Sequence, residues 1–181
     1  MDVLDKIQIL PFEGSYESRM VYEKAHLQLA MEYIDGKKYK KAIETLKKSM
    51  EWPENIGVGK PYDPDERKQE FLLAYCYQQL NRATDASQEL NQVIAYTKES
   101  QGRFEPEQLL GVEALKLTGD KDQAIALYDQ ILSSESLGEK WKTWLQDHYH
   151  PENNPVFAGD FNNTGSEEMG QVIQMIRLFE K

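Results

Sequence analysis

The chain is expected to fold as an all-α solenoid of about three helical hairpins followed by C-terminal capping helices. Three observations carry that expectation. The stretches YKKAIETLKKSM, ATDASQELNQVI and DQAIALYDQIL superimpose with Ala42, Ala86 and Ala124 in register, followed four residues on by Leu46, Leu90 and Tyr128 and seven on by Ser49, Val93 and Ile131. The register extends backwards, since Ala30, Ala74 and Val112 lie twelve residues before the marker alanines and Tyr33, Tyr77 and Leu115 nine before. Apolar residues keep helical spacing between turn formers at Asp35-Gly36, Asn81 and Thr118-Gly119. A hairpin too small to bury its own apolar face must stack on the next one, so a repeat of this kind dictates a quasi-linear array.

The first element is an extended lead-in over residues 1–14, MDVLDKIQILPFEG, ending in Pro11 and Gly14. Ser15 then serves as an N-cap for a helix carrying Met20, Leu27, Leu29, Ala30, Tyr33 and Ile34 on its apolar face, and Lys37 to Glu51 forms its antiparallel partner. Asp63-Pro64-Asp65-Glu66 offers a cap, a first-turn proline and an acid three residues after the cap, which start a third helix running to about Leu80. Asn81 caps a fourth helix to about Ser100, Glu105-Pro106 opens a fifth, and Asp120 with Gln123 three residues later caps the sixth. Residues 15–135 thus hold three helix pairs within a single domain spanning 1–181. Ser136 and Glu139 cap a short helix bearing Leu137, Trp141, Trp144 and Leu145, residues 150–165 read as a loop, and Thr164 with Glu167 starts a last helix. Its stripe of Val172, Ile173, Met175, Ile176 and Phe179 needs an apolar surface, supplied by the array or by a partner.

Small residues facing each other across each hairpin, with a larger apolar residue a turn away, make residues 20 to 135 resemble the tetratricopeptide repeat (TPR) family, a superhelix of helix-turn-helix units of about 34 residues. The early tryptophan of that repeat is replaced here by His26, Glu70 and Gln108, and its proline after the second helix appears as Pro53 alone. The resemblance implies that the first helix of each pair lines an inner groove. Leu27, Met31, Phe71, Tyr75, Leu109 and Glu113 are the groove positions it assigns, and either they imply a protein partner or an adjoining domain of the same polypeptide, or they simply pack between layers. TPRs that clamp a chaperone's terminal carboxylate carry lysine and asparagine where this chain has Leu27 and Met31. That clamp is missing, and a groove of Leu, Met, Phe and Tyr with an acidic surround favours an apolar or basic segment, such as the N-terminal LPFEG.

The segment WPENIGVGKPYDPD between the first two repeats is the least explained by the repeat. Gly57, Gly59 and Lys60 invite comparison with a phosphate loop, but Glu54 and Pro61 stand where that motif needs glycine and Ser or Thr. The expectation is a stiff turn sealed by Trp52, with Trp52, Gly57, Gly59, Lys60 and Tyr62 as the positions a functional loop would use. With the early LPFEG and ESRMVYEKAH, this loop is similar to the C-terminal repeat region of multidomain bacterial proteins in which a β-rich, sugar-enzyme-like domain of unassigned function comes first. That resemblance implies a scaffold without catalytic residues. The alternative it leaves is an accessory domain lending Trp52, Lys60 and Tyr62 to a carbohydrate-active site, since aromatic faces suit sugar rings.

Composition narrows the field further. With 21 basic against 31 acidic side chains and a net charge of −10, the chain is a poor match for nucleic acid or an anionic membrane surface. No apolar run reaches the roughly 18 to 20 residues of a membrane span, and Asp2 and Asp5 stand where a secretory leader is basic, so an unexported protein is expected. Cys76, between Tyr75 and Tyr77, reads as a small buried hydrophobe rather than a nucleophile. His148 and His150 point about 200° apart on a helix, unlike metal ligands four residues apart, and His26 reads as a packing residue, so no metal, cofactor or catalytic group is expected.

Overall fold

A computed structural model describes Gln8 and residues 16–100, 104–151 and 167–180. Among the described residues all regular structure is helical: α1 (Tyr16–Asp35), α2 (Tyr39–Ser49), α3 (Arg67–Gln79), α4 (Ala83–Glu99), α5 (Gln108–Leu117), α6 (Lys121–Ser133), α7 (Glu139–His148) and α8 (Glu167–Ile176). Short 3-10 turns at Glu54–Ile56 and Arg177–Glu180 complete it. Helices α1 to α6 form three hairpins, and each helix packs against the next in sequence order, which is a TPR-like α-α solenoid. Helix α3 sits at the centre, touching α2, α4, α5 and α8, and for that reason every side chain from Phe71 to Tyr77 is buried.

The repeat seen in sequence is a repeat in backbone geometry. Between the helices of the three hairpins stand Lys37 (φ 54°), Asn81 (φ 57°) and Gly119 (φ 93°), each five residues before a marker alanine and each left-handed. The amide after each of them donates to the carbonyl of the aligned position: Lys38 to Tyr33 at 2.7 Å, Arg82 to Tyr77 at 2.9 Å and Asp120 to Leu115 at 2.9 Å. A left-handed residue here returns the chain at once and satisfies carbonyls the ending helix leaves open. The next helix then closes its first turn on the marker, with Ala42, Ala86 and Ala124 donating to Lys38, Arg82 and Asp120 at 3.0–3.1 Å. All three alanines are 3% exposed or less, as are Ala30, Ala74 and Val112, so the hairpins cross through small side chains and one β-branched one.

Three expected helix starts are corrected. Asp63 does not begin the third helix; α3 starts at Arg67, whose backbone amide and guanidinium both bind Asp65, at 3.1 Å from the amide and 2.9 Å from Nε. Asn81 does not cap α4 by its side chain, because its left-handed backbone ends α3 instead and Arg82 takes the N-cap place. Ser136 does not cap α7, which follows Gly138; its hydroxyl accepts the Phe104 amide at 2.6 Å and so ties the approach to α5 onto the approach to α7. Asp120 caps α6 through the Gln123 amide as expected. Met20 lies off the buried face of α1, 55% exposed, because Arg19, Tyr22 and His26 take that face. The lead-in 1–14 apart from Gln8, the caps Ser15 and Thr164, and residues 152–165 of the loop lie outside the described residues.

Two predictions follow the geometry. Lysine in a left-handed turn is strained, so Lys37→Gly is expected to raise stability by about 0.5–1 kcal/mol in urea unfolding. A Cβ on Gly111 of α5 would stand 2.5 Å from Oγ1, 2.6 Å from Cγ2 and 2.7 Å from Cβ of Thr97 in α4. The blocking atoms sit at a branched, buried side chain whose hydroxyl is held by the Val93 carbonyl at 2.8 Å, so they cannot swing aside. Gly111→Ala is therefore expected to cost about 1–3 kcal/mol despite its better helix propensity, and Thr97→Ala to recover only part of the loss.

Candidate functional site

The first helices of the three pairs carry the expected groove positions, and the structure separates them into two groups. Phe71 and Leu109 are completely buried, Tyr75 and Glu113 nearly so. What covers them is the C-terminal end of the same chain. Helix α8 packs on α3 and α5, and Phe179 beyond it sets its ring tilted to Phe71 at 4.9 Å and edge-on to Tyr75 at 5.2 Å between centroids. Tyr149, fully buried after α7, donates its hydroxyl to Glu113 at 2.6 Å, while Lys116 binds the same carboxylate oxygen at 2.9 Å. The stripe of Val172, Ile173, Met175 and Ile176 is 3% exposed or less, so the apolar surface it needs is the array's own inner face. Over α1 the face is less completely covered: Leu27 is 8% exposed, Met31 is half-buried, and both line a cleft of about 1240 Å³ between α1 and α8.

The loop after α2 is built into the first hairpin. Arg19 of α1, 2% exposed, lies 4.4 Å over the Trp52 ring and donates to the Ser49 carbonyl at 2.7 Å. Ser18 donates to the Ile56 carbonyl at 2.7 Å and Ile56 is buried, while Gly57 takes φ 74° to end the 3-10 turn. Of the remaining loop candidates, Gly59 is exposed, Lys60 pairs with Glu66 at 3.3 Å, and Tyr62 projects fully into solvent. One face of Trp52 is thus engaged by a buried cation, a role for which only the lone tryptophan after the hairpin gave a sequence signal.

Charged residues join consecutive repeats along one edge. Glu23, Arg67 and Glu105 hold the same place in the three units, and Arg67, fully buried, binds Asp65 at 2.5 Å and Glu105 at 2.8 Å with Tyr96 5.1 Å beneath its guanidinium. Gln69 donates to Glu23 at 2.7 Å and Lys68 pairs with Glu107 at 2.8 Å. The three positions that replace the family tryptophan are likewise interior or half so. His26 is buried, with Nδ1 2.8 Å from the Tyr22 carbonyl, Gln108 is half-buried, and Glu70 is 8% exposed. Burial, helped by the carboxylates of Glu89, Glu66 and Asp65 and opposed by Arg67, pushes Glu70 up to about 8.

Cys76 is wholly buried and its thiol is pushed up to about 12 by desolvation, so it is an unreactive packing group. His148 stacks flat on Trp144, with ring centroids 4.9 Å apart, and its Nδ1 lies 2.9 Å from the Trp144 carbonyl, whereas His150 is exposed. Among the described residues no group of three His, Cys, Asp or Glu side chains is placed to hold a metal ion, and no helix is long and apolar enough to cross a membrane.

Residues 23–56 match the family model described as the tetratricopeptide repeat. The matched span runs from within α1 through α2 to the 3-10 turn, and the marker spacings of 44 and 38 residues place equivalent 34-residue spans at 67–100 and 105–138. The first of these coincides with the α3–α4 pair. No curated protein and no solved structure matches the chain.

The raised Glu70 makes stability depend on pH in a defined direction. A folded-state value near 8 against an ordinary 4.5 means that the fold favours the protonated acid. Its contribution is fully present below pH 4.5 and is lost as pH rises through about 8. Glu70→Gln, which keeps the shape without the charge, is expected to match the parent chain near pH 5. It should exceed it by a few kcal/mol near pH 9, measured by urea unfolding at both.

Proposed function

We propose that this chain is a non-catalytic helical scaffold that holds a protein partner or an adjoining domain on its inner face, and that it forms the C-terminal part of a larger bacterial protein behind a β-rich domain. TPR arrays generally mediate protein-protein interaction, and the tetratricopeptide match at 23–56 supports that role for the first hairpin. The observation that carries the reading is the occupancy of the inner face. An amphipathic helix, α8, already lies across α3 and α5 by its apolar stripe, which is how helical partners seat in grooves. Beside it the face over α1 continues as an open cleft with Leu27 and Met31 on its wall. The loop with Trp52, Gly57, Gly59, Lys60 and Tyr62 serves in this reading as a brace for the first hairpin, because Arg19 and Ser18 tie it to α1.

The experiment is photo-crosslinking in cells that make the whole natural protein. A reactive amino acid at Met31 is expected to capture one protein, or the preceding domain, identified by mass spectrometry. The same amino acid at exposed Asn91 of α4 is expected to capture none. Equal capture from both positions, or none from either, overturns the proposal.

A further inference from the structure

The geometry points to the cleft between α1 and α8 as a docking site for a basic amphipathic helix of a partner protein, an assignment that rests on the scaffold reading and adds the partner's chemistry. The cleft floor is apolar: half-buried Met31 and nearly buried Leu27 of α1 line it, closed at the base by Ile173 and Met175 of α8, which are all but covered. On its rim Met20 and Val21 stand 55% and 57% exposed, two of the four large apolar side chains left open on the described surface. Met20 stands seven residues before Leu27 and eleven before Met31, so it continues the floor along one face of α1, while Val21 lies about 100° round the helix on the rim. Methionines make up half of these six side chains. Their unbranched, polarisable chains adapt to varied apolar anchors, as at other helix-accepting surfaces.

Charge decides the sign of the occupant. Six acidic and three basic residues line the cleft. Lys24 is already held by Glu167 at 2.5 Å and Lys68 by Glu107 at 2.8 Å, and Arg177 also stands on the wall. The carboxylates of Glu17, Glu32, Asp35 and Glu168 are exposed and form no ion pair among the described residues. They spread from the first turn of α1 to its last and onto the start of α8, so the acidic rim extends along the apolar floor. An occupant carrying Lys or Arg beside an apolar stripe satisfies both, whereas one flanked by acids meets repulsion along the same edge. A helix fits better than a strand because both walls are helices and the described residues offer no sheet edge.

The test uses the full chain and two fluorescent synthetic peptides about five helical turns long, with the same leucine stripe and either Lys or Glu flanks. Fluorescence anisotropy is expected to show the Lys-flanked peptide binding at least about tenfold tighter, with affinity falling as salt rises from about 50 to 300 mM. Reversing the rim with Glu17→Lys, Glu32→Lys, Asp35→Lys and Glu168→Lys should invert the preference. Met20→Glu with Val21→Glu, both at exposed positions that leave the core intact, should weaken the Lys-flanked peptide about tenfold or more. The control pair Asp122→Lys and Asp129→Lys, exposed on α6, should leave binding within about twofold. Equal binding of both peptides, binding of neither, or an equal effect of the control pair overturns the assignment. So does a dimer in sedimentation that Met20→Glu with Val21→Glu abolishes, which gives the cleft to a second copy. If the Met31 crosslink persists while the peptide preference is absent, the scaffold reading stands and only the basic-helix occupant falls.

Discussion

Two helices approach closely along several turns where their contact carries small side chains, and here such residues recur three times in register, with Val112 the one larger exception. Ala42, Ala86 and Ala124 are almost completely excluded from solvent, as are Ala30, Ala74 and Val112 on the preceding helices. A larger residue at a marker position would push its hairpin open, and because every hairpin packs on the next, the displacement would pass along the array. The left-handed residues at Lys37, Asn81 and Gly119 serve the same constraint from the other end, reversing the chain in so few residues that the crossing recurs at a constant distance from the turn. Gly111 extends it between hairpins, where Thr97 leaves no room for a Cβ.

With the hairpins placed this way, the first helix of each pair looks inward, and the inner face is more apolar than water tolerates. The chain covers most of it from within. Helix α8 and Phe179 close it over α3, and the Tyr149–Glu113 hydrogen bond places a polar closure over α5. Glu113 therefore belongs to a buried network with Lys116 and Tyr149 rather than to an open wall. Among the described residues the inner face over α1 opens into a cleft, where Leu27 and Met31 lie beside the exposed carboxylates of Glu17, Glu32, Asp35 and Glu168.

Much of this was legible in the residues. The positions of the hairpins, the Asp120 cap and the buried state of Cys76 follow from helical spacing, capping chemistry and apolar flanks, all of which act over a few residues. Other signals were local but ambiguous. Asparagine suits an N-cap and a left-handed helix end equally well, and at Asn81 the hairpin turn selects the second. Ser136 matched a capping pattern, yet its hydroxyl serves Phe104, 32 residues away in sequence. Met20 matched the apolar period of α1, but Arg19 can reach Trp52 and Ser49 from the next position, and the helix turns that side inward.

The sequence by itself determined the architecture: helix pairs, their order and their nesting, because a periodic apolar pattern with small residues at fixed intervals has one stable packing. Which surfaces of that array stay open was decided only in three dimensions. A stripe such as Val172 to Phe179 states that it must be buried and says nothing of where, since apolar attraction has no address and any matching face will serve. The tertiary structure places the stripe over α3 and α5, and by doing so leaves an acidic, methionine-lined cleft beside α1.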